Sequence, residues 1–146
     1  PDEHFDYVIF KSVLGEVAPR SKPHNKARMM AEIHRVLKPG GAVLFAENMV
    51  GTRLHTWARN RFRKWGKDWG YSTVDEIKRL MNQFSPVIFE TTGFLTAFVP
   101  YAGLKNILRV VDLAIERFVP EQCRYVIYGV AVKPATFLRL DPVRTP

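Results

Sequence analysis

The apolar residues of this chain fall into short blocks that switch between two periods. Phe5-Asp6-Tyr7-Val8-Ile9-Phe10 is rich in aromatic and β-branched residues, and its continuation to Val13 carries few charges. That texture predicts a strand over 5–13 buried on both faces, as in a parallel sheet. Two prolines between Ala18 and Pro23 predict a loop. From Asn25 the period changes, and Met29, Met30, Ile33 and Leu37 recur at helical spacing. Pro39-Gly40-Gly41 ends that helix, glycine reaching the left-handed conformation that a tight turn needs. Ala42 to Ala46 reads as a second buried strand. Thr73, with Glu76 three residues later, predicts a capping box and a helix whose apolar face is Ile77, Leu80, Met81 and Phe84. Val87 to Val99 is strand-like but interrupted by Gly93. Gly103 to Phe118 predicts a long helix with Leu104, Ile107, Leu108, Val111, Ile115 and Phe118 turned inward, and Arg124 to Val132 a last strand.

Strands alternating with helices predict an α/β sheet with helices on its faces. The 146 residues allow one domain, over 1–134, followed by a poorly packed tail over 135–146. Pro1 stands where an initiator Met would, and a strand begins almost at once, so the chain reads as a fragment of a longer protein. Cys123 is the single cysteine, which rules out an intrachain disulfide and suits a reducing compartment. No apolar run approaches the roughly 20 residues needed to cross a bilayer, and no signal-peptide order is present. A soluble cytoplasmic protein is expected. The net charge of +8 is concentrated between Gly51 and Tyr71, where Arg53, Arg59, Arg61, Arg63, Lys64 and Lys67 face Asp68 alone.

Two stretches at a set separation narrow the reading. Phe5-Asp6-Tyr7-Val8-Ile9 leads into Val13-Leu14-Gly15-Glu16-Val17, and after a loop and helix comes Arg35-Val36-Leu37-Lys38-Pro39-Gly40-Gly41 before Ala42-Val43-Leu44-Phe45. This resembles the fourth strand, following helix and fifth strand of class I S-adenosylmethionine-dependent methyltransferases, closely over Pro1 to Asn48 and in architecture beyond. Pro1-Asp2-Glu3 resembles the turn before that fourth strand. The resemblance implies a partial Rossmann-like sheet holding the fourth to seventh strands, with helices on both faces and the last strand antiparallel. It also implies S-adenosylmethionine as cofactor, with Phe10, Lys11, Ser12 and Val13 against its methionine end. The family's glycine loop and ribose-binding acid are absent from this sequence, so the chain alone is expected to be inactive. Glu16 occupies a position where many relatives have His, and is a candidate acid or base there.

Glu47 and Asn48 end the second strand on the same rim. Glu47 either takes a proton from a substrate hydroxyl as a general base or bonds backbone groups of the neighbouring loop. Leu54, Trp57, Ala58, Phe62 and Trp65 recur at helical spacing among arginines. In the resembled family, insertions here often cover the substrate, which makes 51–71 a lid. Its Trp57, Arg61, Trp65 and Tyr71, with Asn48, are the substrate-binding candidates, suited to stacking and to anion pairing. The expected reaction is methyl transfer to oxygen or nitrogen of a small or medium acceptor, with faint likeness to enzymes acting on sugars or lipid-linked glycans. Other readings of the basic segment stay open: a peripheral membrane contact, nucleic-acid binding through stacking and phosphate contacts, or plain core packing. Half of a nicotinamide-dependent dehydrogenase shares the alternation. A sheet cut at its fourth strand also predicts self-association through the exposed edge. The four histidines have no ligand spacing; His34 is expected in solvent and Cys123 in the core.

Overall fold

A computed structural model describes residues 1–62, 68–99 and 102–135. The chain runs β1 (Phe5–Lys11), α1 (Leu14–Val17), α2 (Asn25–Val36), β2 (Leu37–Asn48), α3 (Arg53–Phe62), α4 (Val74–Leu80), β3 (Val87–Thr92), α5 (Ala102–Ile115) and β4 (Val126–Val132). The sheet order is β1-β2-β4-β3. β1 and β2 pair in parallel, and β4, antiparallel to both neighbours, is inserted between β2 and β3. The α/β class is therefore as the alternation predicts, and the antiparallel last strand as the resemblance implies.

Period-2 alternation decides what each strand buries. Val43, Phe45 and Glu47 of β2, Phe10 of β1, and Ile127 and Ala131 of β4 point to one face. There they meet Met30 and Ile33 of α2, Ile77 of α4, and Met81 and Phe84 just beyond it. Each such apolar side chain, fully buried, contributes roughly 1.5–3 kcal/mol. Thr73 caps α4 as expected, its hydroxyl accepting from Glu76 N at 3.2 Å. The Glu76 carboxylate, however, accepts from the buried Lys26 ammonium at 2.8 Å.

The opposite face is open. Tyr7 (68% exposed), Ile9 (74%) and Ile88 (63%) lie on it, so β1 is not buried on both faces. The register aligns Ile9, Leu44, Val130 and Ile88 in one apolar row across all four strands.

Five further expectations change. The helix of residues 25–36 ends at Val36, and Leu37 already pairs with Phe5. Lys38 to Gly41 then form an irregularity before Tyr7 pairs with Ala42. Gly40 has φ +80°, and a Cβ on Gly41 would lie 2.9 Å from Lys38 O and 3.0 Å from Asp6 O. The strand expected over 87–99 stops at Thr92, because Gly93 turns at φ +78° into a 3-10 turn over Leu95–Phe98.

The helix expected inward does not face inward: Leu104 is 46%, Ile107 64% and Phe118 72% exposed. It is held instead by its one buried polar residue, Asp112. Cys123 sits partly exposed in a 3-10 turn rather than in the core. His34 is half-buried against Phe84, ring centroids 5.3 Å apart, rather than in solvent. Of the expected tail, 136–146 lies outside the described residues.

Candidate functional site

β1, β2 and β3 point the same way, so their carboxyl ends share one rim, where ligands of open α/β sheets gather. At the end of β1, Ser12 takes φ +55°. For a residue with a side chain this left-handed backbone costs of order 1–2 kcal/mol, and such strain concentrates at functional positions. Two contacts hold it. Ser12 N donates to Ala46 O at 2.8 Å, and Asn48 Nδ2 donates to Ser12 Oγ at 2.9 Å. The pair bridges the ends of adjacent strands.

Glu47, one residue away, points to the helix-covered face and is 4% exposed. Its Oε1 accepts from Val13 N at 2.6 Å and Leu14 N at 3.1 Å, satisfying the first free N–H groups of α1. Burial pushes the Glu47 carboxyl above its ordinary range; the backbone donors at Leu14 and Val13 and the Lys26 charge pull the other way without cancelling it. Of the two roles expected for Glu47, the backbone one is occupied in this geometry.

Ser12, Val13, Glu47 and Asn48 therefore come together as one cluster. Lys11 is exposed beside it. Phe10 packs its ring into the core against Phe45, centroids 6.2 Å apart, so only its backbone reaches the rim. Glu16 is exposed on α1, outside the cluster.

The segment expected to form a lid roots beside this cluster. Gly70 N donates to Gly15 O at 2.9 Å, and a Cβ on Gly70 would lie 2.2 Å from Ala18 O, so 68–72 is pressed against α1. Ser72 pairs with Met49, directly after Asn48, and its buried hydroxyl has no hydrogen-bond partner among the described residues. Arg59 lays its guanidinium 3.7 Å over the half-buried Tyr71 ring and donates through Nη2 to Met49 O at 3.0 Å. Trp57 (58% exposed) and Arg61 face outward from α3. Trp65 lies outside the described residues.

His55 and Asp112 carry roles that the sequence reading passed over. His55 is 2% exposed, and its Nε2 contacts Phe94 O at 2.8 Å. A carbonyl only accepts, so Nε2 holds the proton and Nδ1 accepts from Thr52 N at 3.0 Å. Burial lowers the His55 pKa; the Phe94 carbonyl opposes it and the nearby Arg59 adds to it. Burial pulls the Asp112 carboxyl upward, but the N–H groups of Leu95, Thr96 and Phe94 outweigh that and hold it below its usual range. The turn at Leu95–Phe98 is thus pinned by α3 from one side and α5 from the other. A Thr three residues before a His, following Gly51, was the available signal: Thr52 Oγ1 accepts from His55 N at 3.3 Å, as a helix cap does. Among the described residues no group of three or more His, Cys, Asp or Glu could hold a metal ion.

The methyltransferase-domain family matches residues 1–45. No curated protein matches the chain. Among solved structures, the chain is similar to Haemonchus contortus phosphoethanolamine N-methyltransferase 2, solved with phosphomonomethylethanolamine and S-adenosylhomocysteine (TM-score 0.58, 15% identity, 92% of this chain and 34% of that one). It is also similar to S-adenosylmethionine-dependent methyltransferases of Thermotoga maritima (TM-score 0.60, 17% identity, 90% of this chain, 57% of that one) and Archaeoglobus fulgidus (0.59, 11%, 91%, 61%). The chain spans about a third of the first of these and under two thirds of the others.

Proposed function

We infer that this chain, which has the class I methyltransferase fold and matches the methyltransferase-domain family over residues 1–45, contributes the second half of a domain that methylates a small or medium acceptor. The observation that carries the reading is the strand-end cluster. A serine held in left-handed backbone, an asparagine bonded to it and an exposed lysine stand on the rim where the fold gathers ligands.

S-adenosylmethionine is the implied cofactor, and it supplies an electrophilic methyl group. The residues present fit one end of it. Lys11 is exposed and can meet a carboxylate, while the bonded Ser12–Asn48 pair presents polar groups at a fixed position. Glu47 holds the start of α1 through its backbone N–H groups, which sets the distance between the two strand ends. Because the methyl donor is already activated, orientation of the acceptor supplies much of the rate. Trp57 and Arg61 on α3, with Tyr71 at the root of the lid, are the groups assigned to the acceptor. The acceptor atom is oxygen or nitrogen, and a sugar or lipid-linked glycan is one acceptor class that a faint likeness suggests.

The test uses the enzyme that contains this segment. Trp57→Ala and Arg61→Ala should lower turnover about tenfold or more while leaving cofactor affinity nearly unchanged. Turnover unchanged in both variants would remove the lid from the acceptor site.

A further inference from the structure

We propose that Arg59 is a positioning residue for the acceptor: it clasps α3 and Tyr71 to the end of β2 and so fixes where Trp57, Arg61 and Tyr71 stand. This role rests on the methyl-transfer reading, which assigns those three groups to the acceptor. β2 ends at Asn48, and Gly51, at φ +64°, turns the chain into α3. From the last turn of α3, Arg59 reaches back ten residues, and its Nη2 donates to Met49 O at 3.0 Å. The same guanidinium lies 3.7 Å over the Tyr71 ring. Tyr71 directly precedes Ser72, which bridges Met49 and whose carbonyl accepts from Val50 N at 3.0 Å. One side chain thus joins the departing chain, the helix and the returning chain beside Asn48.

Burial divides α3 to match. His55, Ala58 and Arg59 are buried or half-buried, with Arg59 one turn beyond His55. Trp57 and Arg61, also one turn apart, are exposed on the other side. The two inner polar residues hold opposite ends of the helix. His55 ties its start to Phe94 O, and Arg59 ties its end to Met49 O. Without Arg59 the end of α3 loses that tie while the start keeps its own, so the outer pair shifts relative to the rim. Tyr71 is fixed by the same contact, because the guanidinium covers one ring face and leaves the other to the acceptor. A planar guanidinium can stack on a ring and donate in its own plane at once, whereas an ammonium is a point charge on a flexible stem. Lysine would therefore replace arginine here only in part.

The test uses the enzyme that contains this segment, with folding checked by circular dichroism. In Arg59→Met, the amides of 56–62 should exchange about tenfold faster with solvent while those of β2 stay protected. Release of S-adenosylhomocysteine should fall about tenfold with the KM for S-adenosylmethionine unchanged, and Arg59→Lys should recover part of the loss. Coupling gives the sharpest readout: Trp57→Ala should cost about tenfold in the parent and no more than about twofold in Arg59→Met. The full cost in both backgrounds, or unchanged exchange in 56–62, would overturn the positioning role. Faster exchange with Trp57→Ala harmless in the parent would overturn it through the acceptor reading beneath it, and the exchange result tells the two failures apart.

Discussion

Glu47 offers the sharpest separation between holding a backbone and moving a proton. In Glu47→Ala the N–H of buried Leu14 loses its acceptor, at a cost of about 1–3 kcal/mol. Val13 N is only half-buried, so water recovers part of its bond, and the side-chain void adds a further fraction. A loss of about 2–4 kcal/mol is expected, readable against the roughly 5–15 kcal/mol that stabilise a domain. Glu47→Gln keeps a carbonyl oxygen that can accept from both donors and should fall within about 1 kcal/mol of the parent.

The pH dependence has a definite sign. Burial first, and in net, raises the folded carboxyl above its unfolded value. The carboxyl's contribution is therefore most favourable below the ordinary glutamate pKa and is lost as pH rises through the folded value. Measured against Glu47→Gln, the parent should lose relative stability across that rise. Urea unfolding followed by circular dichroism, at several pH values, gives both numbers. An Ala variant as stable as the parent, or a Gln variant as weak as Ala, would refute the backbone role.

The other expectations are more local. His55→Ala should free α3 from the Leu95–Phe98 turn; and because burial lowers the His55 pKa, the stabilising neutral form is present above its unfolded value and lost as pH falls through the folded one, read by hydrogen exchange at Phe94–Thr96. Asp112→Asn should loosen the same turn by about 1–3 kcal/mol in the same assay, and an unchanged exchange pattern would contradict it. The open sheet face and the free edge of β1 should drive self-association, and light scattering that finds a clean monomer at high concentration would count against it.

Much of the sheet was legible because its signal is local. The strand residues around Phe10 and Phe45 carry β-branched and aromatic texture, and Lys38-Pro39-Gly40-Gly41 marks the corner between helix and strand. The error on α5 has a different origin. Its stripe of Leu104, Ile107 and Val111 states that one side is apolar, but periodicity does not say whether that side meets the sheet or the outside; a buried Asp112 on another side settled the orientation. The 87–99 segment failed for a related reason, since Gly93 reads as a strand interruption whether the chain resumes extended or turns. Within the site, strand ends could be placed from sequence, which located Ser12, Glu47 and Asn48. What could not be read was the partner of each: the Ser12–Asn48 bond spans 36 residues, the Glu47–Val13 bond 34 and the His55–Phe94 bond 39. His55 in particular has no long-range signal in the sequence, only its Thr52 cap.

The central claim is that the end of β1 meets one part of S-adenosylmethionine, while the rest of its contacts belong to the half of the domain this chain does not contain. An isotope-labelled sample of the chain, titrated with S-adenosylmethionine and followed by amide chemical shifts, tests that directly. The account predicts weak, unsaturated binding with shifts confined to Phe10, Lys11, Ser12 and Val13. Tight stoichiometric binding, or shifts that leave these four residues unmoved while others respond, would contradict it.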